Sequence, residues 1–142
     1  MDHVVYLETA ANEMARLLDG TKTMIIRGAA GRKLPYGKVQ PGDVLYFVNN
    51  DGTGQIQARG IAGSVLNSDK MTPDESAALV NRHQAQLQLT EKQLARWAGK
   101  RYLVLIEVEE VTAVVPFSFD RSAYGNMDDW LPVGEIDSVR RV

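Results

Sequence analysis

The pattern of apolar and polar residues predicts a chain built mostly of short strands. Strand-forming residues are concentrated in five runs, at 22–27, 44–48, 55–66, 102–108 and 111–117, the last stopped at Pro116. Pro41-Gly42 is typical of a type II turn, and the run Asn-Asn-Asp-Gly-Thr-Gly at 49–54 is typical of a hairpin. Gly60 and Gly63 interrupt the third run and indicate bulges or corners, where a sheet bends sharply.

Helix signals occur in two places. The first helix is predicted after Thr9, which suits an N-cap, and ends at Gly20, which suits the C′ position. Residues 3–7, in front of it, fit either a first strand or an extended lead-in to the helix. In the middle of the chain Thr72-Pro-Asp-Glu and Thr90-Glu-Lys-Gln are capping boxes, and each predicts the start of a helix.

The order of these elements predicts an α+β fold. We expect a small, curled, mostly antiparallel β-barrel with an N-terminal helix and two inserted helices, because tight turns and glycine bends join the strands. The chain has 142 residues, of which 44% are hydrophobic and 24% charged, values typical of one globular domain. Residues 1–142 are therefore predicted to form a single domain.

Composition excludes several kinds of site. There is no cysteine, and the two histidines, His3 and His83, are far apart, so thiolate and histidine-rich metal sites are excluded. The acidic groups at 107–110 and 128–129 lack further ligands in the sequence, and we predict neither a metal nor a cofactor. No signal peptide and no membrane-spanning run is visible. We expect a cytoplasmic protein without membrane contact, whose oligomeric state stays open.

Basic residues are concentrated in one segment. The chain has a net charge of −2, yet residues 20–42 contain no acid and five cations: Lys22, Arg27, Arg32, Lys33 and Lys38. A weaker basic stretch covers 82–101. The pattern indicates a local anion site, with chance clustering on a solvated surface as the alternative.

Two aromatic residues complete this candidate site. Tyr36 and Trp130 can supply a surface on which a base stacks, although Trp130 is favoured to seal the end of the barrel. Taken singly, Lys22 can also be an ordinary snorkelling lysine, and Arg27 can pair with a carboxylate such as Asp43.

Three motifs together resemble a known family. Residues 20–27 (Gly-Thr-Lys-Thr-Met-Ile-Ile-Arg) follow a predicted helix and resemble the Gly-x-Lys-x-x-Glu-x-Arg signature of the ASCH domain family, which belongs with EVE and YTH domains to the PUA-like β-barrels. Residues 41–48 resemble the Gly-Asp strand start of these families, and residues 129–133 lie where the closing strand is expected. The resemblance spans nearly the whole chain. It implies a PUA-like barrel whose cleft, along the signature strand, binds RNA or a modified nucleotide.

One residue departs from the signature. Ile25 stands where the signature has Glu and where small ASCH amidohydrolases, which act on acylated pyrimidine nucleosides, place a catalytic Thr. Isoleucine can be neither a nucleophile nor a base. The sequence therefore favours a binding module over an enzyme. The alternative is a nucleoside amidohydrolase or a ribonuclease that uses Lys22 with a strand carboxylate, Glu107 or Glu109.

The sequence thus predicts a module for single-stranded RNA or a modified nucleotide. The predicted binding residues are Lys22, Arg27, Arg32, Lys33, Tyr36, Lys38 and Trp130. A third possibility is a protein-interaction domain whose basic segment docks an acidic partner.

Overall fold

Six strands form one curled sheet in a computed structural model, which describes residues 1–141. The strands are β1 Asp2–Leu7, β2 Met24–Ala29, β3 Val44–Asn49, β4 Gln55–Asn67, β5 Tyr102–Ser118 and β6 Trp130–Gly134. Their order in the sheet is β2-β5-β4-β3-β1-β6. All neighbours are antiparallel except β1 and β3, which are parallel. The α+β, mostly antiparallel fold predicted from the sequence is confirmed, and residues 3–7 belong to a strand.

Within residues 1–141, four α-helices pack against the sheet. They are α1 Glu13–Asp19, α2 Pro73–Arg82, α3 Gln84–Leu87 and α4 Glu91–Trp97. Both capping boxes are present, because Thr72 and Thr90 each exchange hydrogen bonds with the residue three positions later. The first helix begins later than predicted. Asn12 has a φ of +54°, which separates a 3₁₀ turn at Thr9–Ala11 from α1.

The strand that contains Pro116 is longer than the sequence suggested. β5 runs continuously through Pro116, so the prediction that this proline stops the strand was wrong. Among the described residues, only Tyr102–Glu107 of β5 pairs with β2, and the part of β5 around Pro116 has no strand neighbour on that side. An edge strand tolerates a residue without an N–H. On the partner strand β4, the pairing register shifts around Gly60 and Gly63, as the glycines predict.

Three apolar clusters hold the fold together. The first fills the inside of the curled sheet with residues from β1 to β5, such as Val5, Ile25, Phe47 and Ile106, and with Trp130 at the start of β6. The second lies between the outer face of β2 and β5 and the helices α2 to α4. The third covers the outer face of β1 and β3 with the C-terminal segment. Burial of both faces stabilises the curvature that brings β2 close to β1 and β6.

Candidate functional site

Arg27 lies on β2, one of the two edge strands of the curled sheet, and its side chain reaches across the opening between β2 and the other edge strand, β6. We call this opening the seam of the barrel. Nη2 of Arg27 donates to the carbonyl of Tyr6 on β1 at 2.6 Å, and its Nη1 donates to the carbonyl of Ile26 at 2.8 Å. Its Nε lies 3.2 Å from Asp129 Oδ2, just before β6, but without the alignment of a hydrogen bond. The side chain is 10% exposed. The guanidinium is therefore nine-tenths buried and keeps one donor without a hydrogen-bond partner among residues 1–141.

Two adjoining cavities open beside this guanidinium, with volumes of about 380 and 300 Å³. Five residues line both of them: Arg27, Arg96, Trp97, Met127 and Asp129. The larger cavity continues to Tyr6, Glu8 and Arg121, and the smaller one to Lys33 and Lys100. We call the two cavities together the basic cleft.

The basic cleft has an excess of positive charge although the chain is acidic. Its lining includes five cations, namely Arg27, Lys33, Arg96, Lys100 and Arg121, against three carboxylates, namely Glu8, Asp128 and Asp129. The formal charge of the lining is thus +2, in a chain with a net charge of −2. A concave surface with low-dielectric walls concentrates such a field and attracts anions.

Two arginines of the cleft lie against aromatic rings. The Arg96 guanidinium carbon lies 4.5 Å from the ring centroid of Trp97, and Nη1 pairs with Glu8 Oε1 at 2.7 Å. The corresponding atom of Arg121 lies 5.2 Å from the ring centroid of Tyr6. Besides its cation–π contact, Arg96 has the Glu8 ion pair, and Arg121 donates hydrogen bonds to the carbonyls of Gly125 and Asp128. Both planar groups are thus held in place at the cleft, which lowers the entropy lost when they bind an anion.

The structure divides the basic segment predicted from the sequence. Arg27 and Lys33 line the basic cleft. The guanidinium carbon of Arg32 lies 5.6 Å from the ring centroids of both Tyr36 and Tyr102. The Tyr36 hydroxyl donates to the carbonyl of Ser68 at 2.6 Å. Lys38 is exposed but does not line the cleft. Arg32, Tyr36 and Lys38 thus lie outside the cleft that Arg27 and Lys33 help to form.

Lys22 is buried inside the fold. Its side chain is 1% exposed, its Nζ lies 3.4 Å from Glu13 Oε2, and it donates to the carbonyl of Leu87. Burial lowers the pKa of Lys22 below its ordinary value, and the Glu13 carboxylate opposes that shift. The structure does not place Lys22 with the candidate catalytic partner Glu107. These two residues line separate cavities, of about 270 and 460 Å³ respectively.

Trp130 is also buried. It is 1% exposed, and its Nε1 donates to His3 Nδ1 at 3.0 Å. His3 Nε2 lies 2.8 Å from Asp43 Oδ2. Burial of Asp43 works against its ionisation, but hydrogen bonds from Gln40 and His3 keep the pKa of the carboxyl below its usual range. Trp130 therefore packs inside the barrel. The carboxylate beside Arg27 is Asp129 and not Asp43, the partner considered from the sequence.

Several residues of the cleft were missed from the sequence. Arg96 and Lys100 belong to the weaker basic stretch at 82–101, which was a signal for them. Arg121 and Met127 lie in a polar segment without a motif, and only the fold brings them beside Arg27. Ile25, the residue that departs from the signature, packs inside the barrel with no exposed surface.

Two kinds of feature are not found in the part of the chain that the structure describes. Residues 1–141 contain no group of three or more histidine or acidic side chains that could hold a metal ion. None of the helices in that range combines the length and the apolar character needed to cross a membrane.

Comparison with known proteins identifies the fold. No family model and no curated protein matches the sequence. Solved structures of an ASCH protein from Zymomonas mobilis match the fold with a TM-score of 0.67 and 13% identity, over 91% of this chain and 85% of that one. Its tyrosine-to-phenylalanine and serine-to-alanine variants match with the same TM-score and identity, over 87% and 85% of those chains. The chain therefore has the fold of an ASCH domain, as the resemblance of its motifs implied.

Proposed function

We propose that this chain binds single-stranded RNA or a modified nucleotide in the basic cleft. The observation that carries the proposal is the nine-tenths buried side chain of Arg27 at a cavity lined by further cations, since its Nε has no aligned hydrogen bond and only the half-exposed Asp129 carboxylate beside it at 3.2 Å. A buried donor without an aligned hydrogen bond costs free energy, and an anion that displaces the half-exposed Asp129 carboxylate from it can remove that cost. Phosphate suits the site because arginine binds it through two parallel hydrogen bonds.

The shape of the cleft favours single nucleotides over a duplex. Each cavity is concave and has the size of a small-molecule site, so it can take one nucleoside at a time. A base can enter such a cavity only when it is unpaired and unstacked, as in a single strand or a free nucleotide. The planes of Arg96 and Arg121 suit stacking on a base as well as contact with phosphate.

The hydrolase alternative has less support. It needs Lys22 to reach a ligand, yet Lys22 is almost fully buried and pairs with Glu13. It also needs a nearby strand carboxylate, and Glu107 lines a separate cavity.

Fluorescence anisotropy tests the proposal. Labelled single-stranded RNA, single-stranded DNA and duplexes of ten nucleotides are titrated with the protein at several salt concentrations. We expect binding to the single strands that weakens with salt, with a log–log slope of about −0.7 for each phosphate contact. The double variant Arg96→Gln/Lys100→Gln removes two cations of the cleft and should weaken binding by at least about tenfold.

The matched control is Arg82→Gln/Lys92→Gln. It removes the same charge from exposed residues of α2 and α4 that do not line the cleft. We expect the control to bind like the unmodified protein. Equal loss in both double variants would mean that only overall charge matters, and it would contradict a site in the basic cleft.

A further inference from the structure

The two cavities of the basic cleft share a boundary, which we call the waist. The waist is formed by the residues that line both cavities, among them Arg27, Arg96 and Asp129. Beyond it, Arg121 belongs only to the larger cavity, and Lys33 and Lys100 only to the smaller one. The cleft therefore has two adjoining compartments, and two guanidinium groups line the boundary between them.

The size of the compartments sets the length of the ligand. With about 380 and 300 Å³, each lies at the lower end of the range for small-ligand sites, about 300–1,000 Å³. Each can hold one nucleoside and little more. Two nucleosides in neighbouring compartments place their linking phosphodiester at the waist.

The chemistry of the waist suits that phosphodiester. The phosphodiester has one negative charge, and the Nε of Arg27 at the waist has no aligned hydrogen bond, so a phosphate oxygen can displace the half-exposed Asp129 carboxylate from it. Arg96 now pairs with Glu8, and that pair is half exposed on the arginine side, so a phosphate can replace the carboxylate at small cost.

We infer that the basic cleft recognises one dinucleotide step of a single strand. One nucleoside occupies each compartment, and the phosphodiester between them binds Arg27 and Arg96. This inference rests on the proposed function and adds the length of the ligand and the position of its phosphate.

A competition series tests the footprint. Uridine, UpU, UpUpU and a UpU with a neutral methylphosphonate linkage each displace a labelled ten-nucleotide uridine RNA. We expect UpU to bind at least tenfold more tightly than uridine, and UpUpU to gain less than threefold over UpU. The methylphosphonate dinucleotide should lose most of the gain, because it lacks the charge that the waist binds.

Two variants test whether the phosphodiester binds at the waist. Arg96→Gln should weaken UpU by at least about tenfold and uridine, which has no phosphodiester, by less than about threefold, whereas Lys92→Gln, on the same helix, should change neither. Glu8→Gln releases Arg96 from its partner and should tighten UpU more than it tightens uridine. The melting temperature of each variant is measured, and Glu8→Gln keeps the test decisive if Arg96→Gln fails to fold.

The outcomes separate the inference from the proposed function. If the ten-nucleotide RNA binds but UpU is no tighter than uridine, the dinucleotide footprint is overturned and the proposed function stands. The same holds if affinity rises evenly with every added nucleotide up to ten. If the ten-nucleotide RNA does not bind at all, both are overturned.

Discussion

The guanidinium of Arg27, on β2, donates to the backbone carbonyl of Tyr6, on β1, across the seam where the sheet does not pair with itself. A side chain thus completes the barrel at a point where strand-to-strand hydrogen bonds are missing. The same guanidinium forms the wall shared by the two cavities of the basic cleft. The closure of the barrel and the candidate binding site therefore depend on one residue.

The first prediction concerns the role of Arg27 in stability. Arg27→Met should lower the free energy of unfolding by about 2–3 kcal/mol, because it removes charge-assisted hydrogen bonds to the carbonyls of Tyr6 and Ile26. Urea unfolding followed by circular dichroism measures the change. Lys33→Met, an exposed residue of the same cleft, is the control and should stay within about 0.5 kcal/mol. An equally stable Arg27→Met variant would show that the seam does not need the guanidinium.

The second prediction concerns the buried pair of Lys22 and Glu13. Glu13→Gln keeps the acceptor for the Glu8 N–H, which is bound at 2.8 Å, but it leaves the Lys22 ammonium without a counter-charge. We expect a loss of about 3–5 kcal/mol, the usual cost of an uncompensated buried charge. The double variant Lys22→Met/Glu13→Gln should recover a large part of that loss. Additive losses in the double variant would mean that the two side chains do not act as a pair.

The third prediction follows from the pKa of Lys22. Burial lowers this pKa in the folded protein below the ordinary value of 10.5, so between the two values the unfolded chain binds more protons. Stability contributed by this residue must then rise with pH over that interval. We expect the free energy of unfolding, relative to Lys22→Met, to increase as the pH approaches 10.5. Urea titrations of both proteins from pH 7 upwards measure the difference. A decrease with pH would indicate that Glu13 holds the lysine charged and reverses the shift.

The fold was more predictable from the sequence than the site. Capping boxes at Thr72 and Thr90, and the glycines in β4, act through local backbone geometry, which neighbouring residues determine. The site depends on contacts between residues far apart in the chain. Arg27 meets Asp129 only because the sheet curls, and nothing local to 121–129 marks that segment as part of a cleft.

Two basic residues of the same segment show what a count of charges along the sequence cannot distinguish. Lys22 and Arg27 lie five positions apart, and both belong to the predicted anion site. In the structure, Lys22 is buried beside Glu13, whereas Arg27 lies at the seam beside Asp129. A formal charge count is the same for a cation paired inside the protein and one at a cavity, so it cannot separate the two.

The fourth prediction concerns the tautomer of His3. The indole N–H of Trp130 can only donate, so His3 Nδ1 accepts and the ring proton lies on Nε2, facing Asp43. The ¹⁵N chemical shifts of the ring should therefore show the Nε2–H form. Trp130→Phe removes the donor and should allow both tautomers, whereas Trp97→Phe, outside this network, should leave the His3 signals unchanged. An Nδ1–H signal in the unmodified protein would contradict the network.

The last prediction separates stability from binding at Asp129. This carboxylate lies 3.2 Å from Arg27 Nε, is nearly half exposed and lines both cavities of the basic cleft. Asp129→Asn should lower the free energy of unfolding by about 1 kcal/mol or less, because solvent screens the pair. It raises the formal charge of the cleft lining by one and removes a competitor for Arg27, so affinity for single-stranded RNA should increase several-fold.

Asp137→Asn, an exposed carboxylate paired with Arg140 outside the cleft, is the matched control and should change binding little. Weaker binding by Asp129→Asn would mean that the carboxylate contacts the ligand itself, and the basic cleft would then need a donor-bearing group of the nucleotide at that position.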